Sequence, residues 1–442
     1  MDAASCVMQV HPGEEYSVLS SIPDYLSQVH DECAAETSGF PADYIPELAS
    51  VDRQLWGLAL STVDGNVYAA GDVDVGFTIQ SISKPFVYAL AIADRGLDAV
   101  LEKVGVEPSG EAFNELSLER DSKRPRNPMI NAGAITAHSL IGSYAMDENS
   151  RVELIIDGLS TIAGRQLSVD ETVYKSEART AHRNLAIAHM LRSYDLFEQD
   201  PEELVDGYTR QCAIRVTVRD LAMMAATLAN GGVQPVTGEE VMTTSTVRQV
   251  LSVMTTCGMY DAAGDWVTTV GIPAKSGVAG GLIGTLPGQI GIAAFSPRLD
   301  GHGHSVRAVR ACERLSQDMN LHLMEVAPPA HAIIRQTRMV ATASGEAITV
   351  HELQGSIHFA GVERLLRNVD EQHSQPAHLA FDFTSVYQIN DAARRMFLDA
   401  VRKMVDAGYA VSLIDPDEVL PEPVDDEELS VNIVSSMAEL TA

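Results

Sequence analysis

The sequence predicts a mixed α/β (α+β) protein, with one sheet split by a helical insertion and a second, small α/β domain after it. Two patterns predict it. Strand-like runs lie near residues 55–70 and again near 266–296, with a long helical stretch between them, and strands and helices then alternate over residues 333–414. The 442 residues, 45% hydrophobic and 21% charged, suffice for a sizeable core and for two domains.

Residues 1–21 are polar and patternless and read as a flexible arm. Helical periodicity spans residues 25–36, and residues 55–61 and 67–70 read as strands around the turn Asp64-Gly65-Asn66. A helix is expected over 81–95, and residues 116–254 are mostly helical in pattern. Strands return at 266–273, 275–277 and 289–296, and a closing helix at 304–319. The first domain is therefore placed at 22–322 and a linker at 323–332, marked by Val326-Ala327-Pro328-Pro329. The second domain, 333–420, carries strands at 333–342, 347–354, 378–382 and 410–414, with helices at 361–369 and 391–407. Residues 421–442 read as an acidic tail, solvated for lack of apolar surface to bury.

With 31 basic and 61 acidic residues, the net charge is −30. Such a field repels phosphate backbones and anionic lipid, so nucleic acid and membrane are excluded as partners. Residues 1–10 lack the basic start and apolar run of a signal peptide. Residues 270–295 are apolar, but their glycines and prolines, with Lys275 and Gln289 among them, suit buried strands rather than a membrane span. The five cysteines are scattered, with no CxxC pair, so a reducing cytoplasm is the expected location.

The chemistry lies in Ser81-Ile82-Ser83-Lys84, ahead of Pro85-Phe86-Val87. At i and i+3 a serine and a lysine share a helix face. Pro85 is tolerated only in a first helical turn, which places Ser81 at the helix start, where the dipole favours negative charge. A serine needs a neighbour to take its proton, and a lysine can do so once burial lowers its pKa from about 10.4. The alternative is an N-cap serine beside a surface lysine. Against it, the chain uses six lysines and twenty-five arginines, so lysine is a choice rather than a habit. A second lysine sits in the apolar segment Pro273-Ala274-Lys275-Ser276-Gly277-Val278. The pair SxxK and KSG resembles the SxxK and KTG elements of penicillin-binding proteins and class A β-lactamases.

Five ordered segments make the resemblance more specific. Val75-Gly76-Phe77-Thr78-Ile79-Gln80-Ser81, Arg126-Asn127-Pro128-Met129-Ile130-Asn131-Ala132-Gly133-Ala134, Ser176-Glu177 with Asn184, the stretch around Tyr208, and Met259-Tyr260-Asp261 resemble the serine-dependent glutaminases, which share the β-lactamase-like fold. The resemblance implies hydrolysis of L-glutamine, with Ser81 as nucleophile, Lys84 as its base and Tyr260 relaying protons. It implies an oxyanion hole from the amides of Ser81 and Val278. It also implies substrate contacts from Tyr44, Asn131, Glu177, Asn184, Tyr208 and Tyr260, and a dimer or tetramer. Two rivals stand beside it: a β-lactamase or D-alanyl peptidase of the same fold, and an inactive scaffold acting through its second domain.

Gly301-His302-Gly303-His304 is read as solvent-exposed rather than metal-binding, and His182 and His189 as structural. No P-loop or dinucleotide motif is present, so neither cofactor nor metal is expected. The second domain resembles a STAS domain in Leu379-Ala380-Phe381-Asp382-Phe383 and in residues 386–393. Where regulatory STAS domains carry a phosphorylatable serine, Asp391 stands here, which implies a fixed module for a protein partner or for assembly.

Overall fold

The computed structural model describes residues 22–110, 116–143, 145–325, 333–357, 361–362, 365–366, 368–369, 377–420 and 431–441. The chain divides into two compact units, Met1–Glu325 and Val326–Ala442.

In the first unit, strands β1 (Gly57–Thr62) and β2 (Val67–Gly71) form a hairpin around Gly65, which adopts a φ of 86° in the expected turn. Two short strands, β3 (Phe77–Thr78) and β4 (Ser168–Val169), pair with β5 (Ile214–Val216) in a small separate sheet. Strands β6 (Ala274–Ser276), β7 (Gly281–Leu286) and β8 (Ile290–Phe295) return to complete the large sheet in the order β2-β1-β8-β7-β6. Side chains alternate across it: Ala59, Ile283 and Ala293 join one core, while Leu58, Leu60, Leu282 and Ile292 join another on the opposite face. The Val218–Ala229 helix packs on β8 and β1; the Ile22–Ala34 and Val306–Met319 helices pack together and reach β2 and β7. Between the halves come the helices Asn131–Ser139, Glu148–Ala163, Glu171–Thr180, His182–Ser193, Pro201–Cys212 and Thr244–Cys257.

Two expectations fail here for identifiable reasons. Residues 266–269, half of the expected 266–273 strand, belong instead to the helix Ala263–Thr269. Ala263, Trp266 and Val270 are buried at helical spacing, and the indole Nε1 donates to Ile272 O at 2.6 Å, so packing overrides the β-branched composition. Strand β7 was not expected, because its glycines suppress the strand signal. Gly281 is there for space: a Cβ would lie 2.8 Å from Ile82 Cδ1 and 2.9 Å from the Phe77 ring.

The second unit is one sheet of β9 (Ile334–Ala341), β10 (Ala347–Ile357), β11 (His378–Ile389), β12 (Ala410–Ile414) and β13 (Asn432–Val434), ordered β13-β12-β11-β10-β9. β10 to β13 run parallel and β9 antiparallel to β10. Phe397, from the Asp391–Asp406 helix, meets Phe381 and Phe383 edge-on at 5.2 and 5.3 Å. Asn390 caps that helix by accepting from Ala393 N at 2.8 Å. The sequence reading of a tail at 421–442 misses β13 and the Met437–Thr441 helix, whose Val434 and Leu440 are buried. The linker motif at Val326 to Pro329 and the side chain of Asp391 lie outside the described residues.

Gly133 leaves no room for a Cβ, which would fall within contact distance of the Asn127 carbonyl oxygen. Gly133→Ala should lower unfolding free energy by about 1–3 kcal/mol, read from urea denaturation.

Candidate active site

The segment carrying Ser81 is held from both ends. Phe77 and Thr78 pair with β5, and Ile79 N donates to Ile214 O at 2.8 Å. Gln80 then takes a φ of 50°, unusual for a residue with a side chain, and opens a 3₁₀ turn, Gln80–Ile82, that runs into the Ser83–Arg95 helix. Pro85 is the third residue of that helix, where its missing N–H removes no helical bond. Ser81 retains 8% exposure.

Lys84, 1% exposed, lies beneath this turn. Its Nζ donates to Asn131 Oδ1 at 2.7 Å and to Met129 O at 3.1 Å. Burial lowers its pKa to about 7. The Asn131 side chain is placed by a local device: Asn127 Oδ1 accepts from the amides of Met129 (3.0 Å) and Ile130 (3.2 Å), turning the chain into the Asn131–Ser139 helix.

Tyr260 approaches from the other side with a φ of 53°. It is hydrogen-bonded to Ser81, and burial raises its pKa. Lys84 Nζ is 5.7 Å and Lys275 Nζ 3.9 Å from the Tyr260 ring centroid, and His304 stacks on the ring at 6.0 Å. Lys275 is fully buried, donates to Ser276 O at 2.6 Å, and is held well below the usual lysine range by burial and by Lys84. His304 corrects the sequence reading, for it is only 2% exposed. Its Nε2 donates to Met259 O (3.2 Å), so Nδ1 accepts from Ser276 Oγ (2.8 Å). His302 beside it is exposed and pairs with Asp261 at 3.1 Å. His182 and His189 are exposed on one helix. Among the described residues no group of three or more His, Cys, Asp or Glu could hold a metal ion.

A cavity of about 380 Å³ opens on Ser81, and Tyr44, Asn131, Glu177, Asn184, Tyr208 and Val278 all line it. Of the expected site residues, Lys84 and Tyr260 are not part of this lining; each stands behind Ser81, and Tyr260 is hydrogen-bonded to it. Glu177 Oε1 accepts from Tyr44 OH (2.9 Å) and Gln80 Nε2 (3.0 Å), and burial raises its carboxyl above the ordinary range. Asn131 Nδ2 donates to Asn184 Oδ1 at 2.9 Å. Val278 follows β6 in a tight turn (Gly277 N to Gly281 O, 2.9 Å), and its own amide donates to no group among the described residues. Sequence reading missed Gln80, Arg183 and Cys212 in the lining. Only Gln80 carried a signal, its position beside Ser81.

A second acid–base–hydroxyl string, Glu346–His378–Ser412 (3.1 and 2.9 Å), lies in the second unit. Ser412 is fully buried within β12, so no substrate reaches it.

A hydroxyl at a helix tip beside an amine poised near neutrality, below a cavity with carboxamides and a carboxylate, can perform acyl transfer from an amide. The comparisons define the family. The glutaminase family matches residues 39–324. The glutaminase of Corynebacterium glutamicum is 49% identical over 402 residues, which cover 91% of this chain and 96% of the relative. The glutaminase of Trichormus variabilis is 50% identical over 300 residues, 68% of this chain and 89% of the relative. The crystal structure of Mglu in its glutamate form superposes with a TM-score of 0.79 at 43% identity, covering 91% of this chain and all of that one. The chain belongs to the glutaminase family.

The buried amine makes stability depend on pH. The unfolded chain holds the Lys84 proton up to about pH 10.4, whereas the folded chain releases it near 7. Between those values the unfolded state binds the extra proton, so stability rises with pH; below about 7 both states bind it and the slope disappears. Urea denaturation at pH 7.5 and 9 should show wild type gaining about 2 kcal/mol more than Lys84→Met over that interval.

Proposed function

We propose that this chain hydrolyses the side-chain amide of L-glutamine to L-glutamate and ammonia through an acyl-enzyme on Ser81. The observation that carries the reading is Lys84, one helical turn from Ser81, buried and poised near pH 7. Both N–H bonds of the neutral amine have acceptors in Met129 O and Asn131 Oδ1, and its lone pair takes the Ser81 proton, directly or through Tyr260. Ser81 Oγ attacks the amide carbon, and the amides of Ser81 and Val278 stabilise the oxyanion. Collapse breaks the C–N bond, and the proton held on Lys84 goes to the leaving nitrogen by the same route. Water, deprotonated in turn by the amine, then attacks the ester and releases glutamate. Glu177 pairs with the substrate ammonium, and Asn131, Asn184 and Tyr208 hold its carboxylate. Glutamate, named for the Mglu crystal form, is the product of this reaction.

The β-lactamase-like description of the first unit and the STAS-like description of the second are part of the same proposal. Support for the latter is the mainly parallel sheet and the helix that starts at Asp391. The second unit serves as a fixed module for a protein partner or for assembly of a dimer or tetramer. We place the enzyme in the cytoplasm; among the described residues no helix is long and apolar enough to cross a membrane. Family membership favours glutamine over a β-lactam, and one methylene separates glutamine from asparagine, worth about 1–3 kcal/mol.

Ammonia release from glutamine, with asparagine and a chromogenic β-lactam in parallel, tests the reading. Ser81→Ala should lower the rate by roughly a thousandfold or more; wild-type turnover in that variant would end the proposal. The kcat/KM for glutamine should rise with pH through an ionisation near 7, as Lys84 becomes neutral. Glu177→Gln should raise KM roughly 10- to 100-fold, the loss of one charge-assisted contact, with a smaller change in kcat.

A further inference from the structure

The strained turn at Gln80 must be held by something, and its side of the molecule shows what. Gln80 O accepts from Ser83 Oγ at 2.8 Å. A serine has one hydroxyl proton, so Ser83 can receive only a donor from elsewhere, and Gln211 Nε2 supplies it at 2.9 Å. That fixes the Gln211 amide: its oxygen faces His138 Nδ1 at 2.8 Å, and Nδ1 therefore carries a hydrogen. His138 Nε2 lies 2.6 Å from Glu148 Oε1, with one proton between them. Glu148 Oε2 accepts from Arg151 Nε at 3.0 Å, and Arg151 also donates to Ser139 O at 3.3 Å and to Ile141 O.

Ser83, His138, Arg151 and Gln211 are fully buried. The surrounding backbone is cut to fit: a Cβ on Gly207 would occupy the position of Glu148 Oε1. From His138 Nδ1 onwards the sense of each bond is fixed, and the polarity runs through Gln211 and Ser83 to the Gln80 carbonyl. None of these five side chains lines the cavity. The string nevertheless ends on the peptide immediately before Ser81, and it ties together the helix that presents Asn131 and the helix that presents Tyr208. A network serving stability alone has no reason to end there.

We propose that Gln211, oriented by His138 and Glu148, is a positioning residue that holds the Ser81 turn in its reactive conformation through Ser83. The inference rests on Ser81 being the nucleophile. Losing the Gln211 N–H frees the Ser83 hydroxyl to turn from Gln80 O; the turn relaxes, and the Ser81 hydroxyl and amide leave their alignment with the substrate amide. Binding groups on the other walls remain in place, so the loss falls on kcat rather than on KM.

Gln211→Glu is the discriminating variant of the full chain. It preserves shape and the acceptor for His138, but the carboxylate draws the only Ser83 proton towards itself and strips Gln80 O of its donor. We expect kcat to fall about tenfold, as for the loss of one aligned hydrogen bond, with KM within about twofold and the thermal midpoint retained. Ser83→Ala, which deletes only a hydroxyl, should give a similar loss, and the double variant should be no worse than either single one. Unchanged kcat in Ser83→Ala, or additive losses, or a loss that follows thermal stability, would overturn the assignment. Ser81→Ala run beside them separates the two ideas: if it keeps wild-type ammonia release, the nucleophile is wrong; if it is inactive while Ser83→Ala is not, only the positioning role is wrong.

Discussion

An ammonium ion cannot be taken out of water cheaply, and the first unit is organised around doing so for Lys84. Stripped of solvent, the amine donates its hydrogens to a carbonyl and a carboxamide. Those acceptors come from Met129, just before a separate helix, and from Asn131, its first residue; the entry depends on the Asn127 turn and on the absence of a side chain at Gly133. The burial that lowers the proton affinity of the lysine is therefore also what makes the Asn127-to-Gly133 segment intolerant of change.

Two non-glycine residues in left-handed conformation adjoin Ser81: Gln80, which precedes it in the chain, and Tyr260, which is hydrogen-bonded to it. Strain at such positions persists only where neighbours over-determine it. Gln80 is clamped by β-pairing on one side and by Ser83 on the other; Tyr260 is packed against Lys275 and His304. The sheet contributes by bringing β7 close, with glycine at 281 where a methyl group would strike Ile82.

Much of this was legible in the residues. SxxK followed by Pro85 placed a serine at a helix tip, and the scarcity of lysine singled out both Lys84 and Lys275. Seven of the residues carried over from family resemblance line one cavity although they are spread from Tyr44 to Val278. What stayed hidden was tertiary. The glycines of β7 erase a local strand signal, and Trp266 lies in a β-branched run that packing winds into a helix. His304 looks exposed in a glycine-rich loop until Ser276 and Met259 are seen against it. The polar string behind Ser83 joins residues up to 128 positions apart, and no spacing rule reveals it.

The Asn131 carboxamide is shared between the amine and the cavity: its oxygen accepts from Lys84 and its nitrogen donates to Asn184. Such sharing fixes the amide's orientation and lets charge arriving in the cavity be felt at the amine. In the proposed binding mode, a carboxylate near Asn184 polarises the carboxamide and favours the protonated amine. Occupied and vacant enzyme then carry different proton affinities at the same nitrogen, so the two pH profiles of this enzyme, one at saturating and one at limiting substrate, should not superimpose.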